Sequence, residues 1–196
     1  MDTASPIYEP ILANIRRYVT LTDEEADAFT RIIRITTIRK RQFIVQPGFV
    51  CDSQTYVESG AMRSYYVSPS GVEHTVQFAI EDWFISDFAS YIYQEPASLF
   101  VEALESGRVF QINYRDTEAL CQQYHVFDTF FRLVTQKSFA FAQRRVLSNL
   151  GKTAKERYEE FLALYPSIVQ RVPQYMLASY LGMSAEFLSR IRAARD

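Results

Sequence analysis

Glu186, Ser189, Arg190 and Arg192 fall within "SAEFLSRIR", residues 184–192. These side-chain types can read or grip nucleic acid. An arginine fork matches O6 and N7 of guanine, and a glutamate accepts from N4 of cytosine. Serine and glutamine bond phosphate oxygens. Glu186 and Arg190 are four residues apart, so a helix would set them side by side. The same spacing also serves an ordinary surface ion pair, and the pattern alone leaves both readings open.

The neighbouring residues supply what would position them. Leu177 and Leu181 stand four apart in a first helical pattern over 173–181, and Gly182 suits the left-handed turn that ends it. Ser184 can cap a second helix by accepting a backbone N–H. In that helix Leu188 and Ile191 make the inward pair, leaving Ala185, Glu186, Ser189, Arg190 and Arg192 outside. This is a helix-turn-helix pattern, in which one helix braces the DNA backbone while the second enters the major groove. Gln174, early in the first helix, and Ser184 join the expected DNA-facing set. Double-stranded DNA is the partner this arrangement would suit, and two ordinary surface helices of an acidic domain are the other reading of the same pattern.

Charge agrees with that placement. The formal net charge is −2, yet residues 1–140 carry 12 Lys/Arg against 18 Asp/Glu, while residues 141–196 carry 9 against 5. A basic end on an acidic chain fits a polyanionic partner. The 196 residues allow one large domain or two small ones, and an apolar fraction of 48% can fill a substantial core. Cys51 and Cys121 have no nearby ligand set and read as reduced thiols. The start lacks the basic and apolar regions of a secretory signal, and no run reaches the roughly 18–20 apolar residues of a membrane span. A cytoplasmic protein without membrane contact is expected.

The rest of the chain divides by periodicity. The first 35 residues read as helical, with Thr22 and Glu25 forming a capping box. From Ile35, short β-rich runs alternate with turns at Pro47-Gly48, Gly60, "SPSG" and Gly107. That spacing predicts an antiparallel β-roll, jelly-roll-like, interrupted by a short helix in "SDFASYIY". After "RDTEALCQQY", a short helix, residues 125–148 contain no Gly or Pro and predict one long helix. Its apolar residues, including Val126, Leu133, Ala140 and Leu147 at seven-residue spacing, are too widespread for one buried stripe. A second copy of the chain is the simplest partner for the surplus, so a homodimer is expected. Asn149 and Gly151 then read as a break, Thr153 and Glu156 as another capping box, and Pro173 as the first turn of the next helix. The expected class is α+β: residues 1–124 as a β-roll domain with flanking helices, 125–148 as a dimer helix, and 149–196 as a helix-turn-helix domain.

That combination resembles the Crp/Fnr transcription regulators over nearly the whole length. The tail is similar to their DNA-reading motif, with Leu177-Ala178 before Gly182 and "SAEFLSRI" after it. The resemblance implies that Glu186 and Arg190 contact bases. "ESGAMRSYYVSPSGVEHTVQF" looks like the family's glycine-bounded roll hairpin. Members that bind cyclic nucleotides use a Gly-Glu pair for the ribose and an Arg-Ser or Arg-Thr pair for the phosphate. Here Ile85 and Ser86 fall at the first pair and Ala97 and Ser98 at the second. A buried phosphate without its cation would carry a heavy desolvation penalty, so the effector is unknown and not expected to be cAMP. The family's β-wing follows the recognition helix; with Asp196 soon after Arg192, wing contacts are not expected.

No cofactor is expected. Two cysteines cannot supply the four thiolates of an iron–sulfur cluster. His74 as a haem ligand is far less ordinary than His74 as a strand residue. His74 and His125 are isolated, whereas a metal-dependent β-roll enzyme would want clustered histidines with a carboxylate. Ser86, Tyr91, Tyr93, Ser98 and Phe100 surround the altered cassette as candidate effector-pocket residues, although aromatics in a β-roll are more often its core. The rival readings are a small-molecule-binding or metal-dependent β-roll enzyme, and a ligand-free dimer scaffold with a helical tail that binds no DNA.

Overall fold

The computed structural model describes residues 5–194. The reading of the first residues as helical and the wing expectation at Asp196 lie partly or wholly outside that range. A 3-10 turn, Pro6–Tyr8, leads into α1 (Glu9–Arg16) and α2 (Asp23–Arg31), the latter entered through the Thr22–Glu25 capping box. The helical start ends at Arg31, slightly before residue 35, because β1 (Ile33–Ile38) begins the roll.

The remaining strands are β2 (Phe43–Val45), β3 (Ser53–Ser59), β4 (Met62–Val67), β5 (Glu73–Ala79), β6 (Phe84–Ile85), β7 (Phe100–Ala103) and β8 (Gly107–Asn113). They form two four-stranded sheets in the orders β1-β8-β3-β6 and β2-β7-β4-β5, with every pairing antiparallel. Alternation along each strand decides what each face meets. Val57 and Val109 pair across β3 and β8 and pack inward with Met62, Val101 and Ala103 of the other sheet. Their neighbours Tyr56, Phe110 and Ile112 turn outward and are covered by Ile11, Leu12, Ile15, Phe29, Phe127 and Phe130 from the flanking helices. The tightest backbone approach is at Gly107, where a Cβ would lie 2.1 Å from the Ser59 carbonyl oxygen. Only glycine fits there.

Between β6 and β7 lies α3 (Phe88–Tyr93), and α4 (Tyr114–Gln123) follows β8. The long helix α5 runs His125–Gly151, 27 residues, or about 40 Å at 1.5 Å per residue. The break expected at Asn149 therefore falls later, at Lys152, since one glycine at a helix end does not stop the backbone bonding. Next come α6 (Ala154–Leu164), capped by the Thr153–Glu156 box, and α7 (Pro166–Arg171), a short helix that the sequence reading missed. Its first position is Pro166, where the missing N–H costs nothing. Finally α8 (Gln174–Tyr180) and α9 (Ala185–Ala193) form the tail. Pro173 sits outside α8 with extended ψ, as its N-cap rather than in its first turn.

The tail packs on the outer face of the second sheet. Ala61, Phe78 and Leu104 of the roll share one apolar cluster with Tyr158, Phe161, Ile168, Leu177, Tyr180 and Leu188.

Candidate functional site

The α8–α9 turn is built as its residue types require. Gly182 takes φ +67°, and Met183 N–H bonds the Ala178 carbonyl at 3.0 Å, which closes the end of α8. Ser184 Oγ accepts from Phe187 N–H at 3.1 Å and so caps α9. Leu188 is fully buried, and Ile191 packs partly against the same cluster. That anchoring turns Glu186, Ser189, Arg190 and Arg192 to the exposed side. Ala185 departs from expectation. It is half-buried against the apolar cluster, since it sits three residues before Leu188 on nearly the same face.

The exposed face has its own arrangement. Among the described residues Glu186 and Arg190 do not come within ion-pair distance. The Arg190 guanidinium instead lies 5.2 Å from the centre of the Phe187 ring. The Glu186 carboxyl is held below the ordinary glutamate value by its own backbone N–H and by the Ser184 hydroxyl. It is an ionised acceptor at the positive end of the helix. Phe187, 41% exposed, was missed in the sequence, where only its i, i+3 spacing to Arg190 could have marked it. Gln174 is exposed at the start of α8, with its side-chain amide against the Arg192 guanidinium. Thus α8 and α9 bring Gln174 and Arg192 together, separate from Glu186 and Arg190.

Three further side chains fix the tail to the roll. Ser179 Oγ donates to the Glu73 carbonyl at 2.8 Å and accepts from Thr75 N–H at 2.9 Å, joining α8 to β5. Arg145 of α5 donates to the carbonyls of Val76, Thr75 and Tyr180, with its guanidinium 4.1 Å from the Tyr180 ring centre. Arg171 forks onto Glu81 and Glu105, at 2.6 Å and 2.5 Å. Spacing gave no sign of these contacts, whose partners lie far away in the chain.

The cassette between β6 and β7 is the second candidate region. Asp87, 3% exposed, dominates it. One carboxylate oxygen accepts from Ser90 N–H at 3.1 Å, and the other from Ser98 and Leu99 N–H at 2.8 and 2.9 Å. Three converging amides are therefore occupied by an internal anion. Asp87 was legible only as a helix cap ahead of "FAS", and its reach to residues 98 and 99 was not.

The five candidate pocket residues do not converge. Tyr91 is buried in the roll core and edge-on to Tyr114 at 5.2 Å, with its phenol pushed up to about 12 by burial. Tyr93 is 71% exposed. Phe100 stacks on Tyr65 at 5.1 Å and Phe43 at 5.6 Å, whereas its neighbour Val101 belongs to the interior. Period-2 alternation puts them on opposite faces. Ser86 is half-buried, and Ser98 is exposed with its N–H committed to Asp87. Tyr91 borders an open groove shared with Phe88, Ile92, Tyr114 and Phe131.

His74 stacks on Tyr66, and no group of three or more His, Cys, Asp or Glu poised for a metal occurs among the described residues. Burial pushes the Cys121 thiol up to about 11 and raises Cys51 as well, which makes both poor nucleophiles at neutral pH. Among the described residues no helix is long and apolar enough to cross a membrane. The outer face of α5 exposes Phe139, Val146, Leu147 and Leu150 by 56–80%.

The chain is similar to several known proteins. A family model described as a cyclic nucleotide-binding domain matches residues 35–124. The transcriptional activator protein Anr of Pseudomonas protegens is 26% identical over 88% of this chain and 75% of its own. The solved structure of FixK2 from Bradyrhizobium japonicum has a TM-score of 0.74 at 19% identity, covering 83% of this chain and 84% of that one. A transcriptional regulator of the Crp/Fnr family from Eubacterium rectale gives 0.69 at 16% identity, covering 89% and 83%.

Proposed function

We propose that this chain is a DNA-binding transcription regulator of the Crp/Fnr family, which it resembles in sequence and fold, and that it reads its operator with α9 as a homodimer and without cAMP. The observation that carries the reading is the two-sidedness of α9: Leu188 is fully buried while Glu186, Ser189, Arg190 and Arg192 are left exposed. Arg190 and Glu186 meet base edges. Arg192, next to Gln174 at the start of α8, meets a phosphate. The segment expected as 149–196 does the reading from Lys152 onward, α5, which extends the expected 125–148 to Gly151, pairs the copies, and 1–124 form the sensory or scaffold part. The protein works in the cytoplasm and turns over no substrate.

Absence of a cAMP response is supported by Asp87, whose carboxylate already fills the amides at the cassette. A nucleotide phosphate would meet that negative charge with Ala97 and Ser98 where a cation is needed. Calorimetry with cAMP should show no binding in the micromolar range, and a micromolar constant would remove this part of the reading.

The DNA reading is tested on a site selected from random duplexes. Arg190→Ala should cost about 1–3 kcal/mol on that site and relax the preference at one base pair. Arg192→Ala should weaken selected and random DNA alike, with the salt slope reduced by about one. Equal losses for Arg190→Ala on both DNAs would show that it reads no base. The half-sites should lie about 10 base pairs apart, centre to centre, or a multiple of that.

The exposed apolar face of α5 supports the homodimer, because Phe139, Val146, Leu147 and Leu150 form a stripe that this copy leaves uncovered. Sedimentation at micromolar concentration should give twice the 22.8 kDa chain mass, and Leu147→Glu with Leu150→Glu should halve it. A monomeric unsubstituted protein would overturn the assignment.

A further inference from the structure

Phe187 lies between Glu186 and Leu188 on α9 and is 41% exposed. Ala185 and Ile191 of the same helix pack on the tail's apolar cluster, whereas Phe187 belongs to none of the apolar clusters among the described residues. A single exposed hydrophobic residue is ordinary on a protein surface. This one flanks the face that carries Glu186 and Arg190. At about 100° per residue, Glu186 and Arg190 stand about 40° apart, and Phe187 lies about 60° beyond Arg190, toward the buried Leu188. Ser189 occupies the opposite flank, about 60° from Glu186. The same two side chains therefore have an apolar neighbour on one side and a polar one on the other.

The two flanks suit different parts of a duplex. A serine hydroxyl can bond a phosphate oxygen; a phenyl ring cannot, and would strip water from that charge without replacing it. The base edges in the major groove consist of donors and acceptors with one apolar exception, the C5 methyl of thymine, and a phenylalanine side chain can pack against it. The ring is also tied to its neighbour, since the Arg190 guanidinium stands 5.2 Å from its centre. Successive bases on a strand are about 3.4 Å apart, so a ring beside the guanidinium reaches the base pair next to the one the guanidinium grips.

We propose that Phe187 is a specificity-determining residue, packing on a thymine methyl in the base pair that adjoins the guanine held by Arg190. The proposal rests on the DNA-binding reading and deepens it by naming a second base in each half-site.

The test uses the site selected from random duplexes, with each thymine of one half-site exchanged in turn for deoxyuridine. That exchange removes the methyl and keeps the hydrogen-bonding edge. The unsubstituted protein should lose about fourfold in affinity at one thymine, as expected for one buried carbon group. That thymine should adjoin the guanine whose preference Arg190→Ala relaxes. Phe187→Ala should bind thymine and deoxyuridine alike there and still prefer the guanine. Phe187→Leu, which retains an apolar side chain, should keep most of the discrimination. A selected site with no thymine beside that guanine would overturn the proposal while the DNA reading stands. So would the absence of a deoxyuridine effect there on the unsubstituted protein, and neither result needs a variant to be folded. A full deoxyuridine loss retained by Phe187→Ala would overturn it as well. Loss of the guanine preference in Phe187→Ala with an unchanged thymine response would do the same, and would make the ring a prop for Arg190. Failure of the unsubstituted protein to select any site would sink the DNA reading itself.

Discussion

The cassette and the tail are each organised by one buried side chain, and the two differ in polarity. Asp87 anchors the cassette, with its carboxylate taking the N–H groups of Ser90, Ser98 and Leu99. Leu188 anchors α9 within an apolar cluster and bonds to nothing. A polar anchor occupies the backbone donors that a ligand would otherwise use. An apolar anchor leaves every polar group on the opposite face available. The cassette is therefore closed on itself, while the tail is open to a partner.

Removing the anchors would break this contrast most severely. Leu188→Ala should destabilise the protein by about 2–5 kcal/mol through lost burial and a residual cavity, and DNA binding should fall with it. Chemical denaturation gives the value. A loss below about 1 kcal/mol would mean that α9 is not held by this side chain.

Asp87→Ala should cost about 3 kcal/mol, because three amides lose a charged acceptor in a buried setting. The variant should also be stabilised by sulfate or phosphate more than the unsubstituted protein, since an anion can enter where the carboxylate was. Identical anion responses in a thermal melt would show that the cassette is closed by something other than Asp87.

The smallest expected effect sharpens the comparison at the junction of the two regions. Arg171, through its hydrogen bonds, holds the Glu81 carboxyl below the ordinary glutamate value. A depressed folded-state value stabilises above the unfolded value of about 4.3 and is lost as pH falls through the folded one. The Glu81 side chain is 44% exposed, so screening reduces this contribution to under about 1 kcal/mol. Arg171→Ala should flatten the stability profile on the acid side of about pH 4.3, with little added cost at high salt. An unchanged acid limb would mean that the clasp does not couple the tail to the roll.

Much of the tail was legible because its signals are local. Gly182, Ser184 and Leu188 each act within one helical turn, so spacing reveals their roles. Two residues there are misplaced: Ala185 is small enough to sit at the edge of the buried face, and Pro173 caps α8 from outside. The cassette was half legible. Through the family resemblance, the residues at 85, 86, 97 and 98 implied an altered nucleotide cassette, but they gave no sign of the Asp87 contacts there.

The sequence by itself determined the order of elements apart from α7, the two capping boxes and the Ser184 cap, the long uninterrupted helix, the two-sided α9 and the basic end of the chain. Tertiary structure decided which groups those elements bring together. Asp87 reaches Ser98 and Leu99, 11 and 12 residues away, and Arg171 reaches Glu105 and Glu81 across 66 and 90. Phe100 faces away from the roll interior because sheet register, rather than its own type, sets its direction. Periodicity encodes which face a residue occupies on its own element. A hydrogen bond or ion pair between distant segments depends on how two elements meet, and no local spacing carries that information.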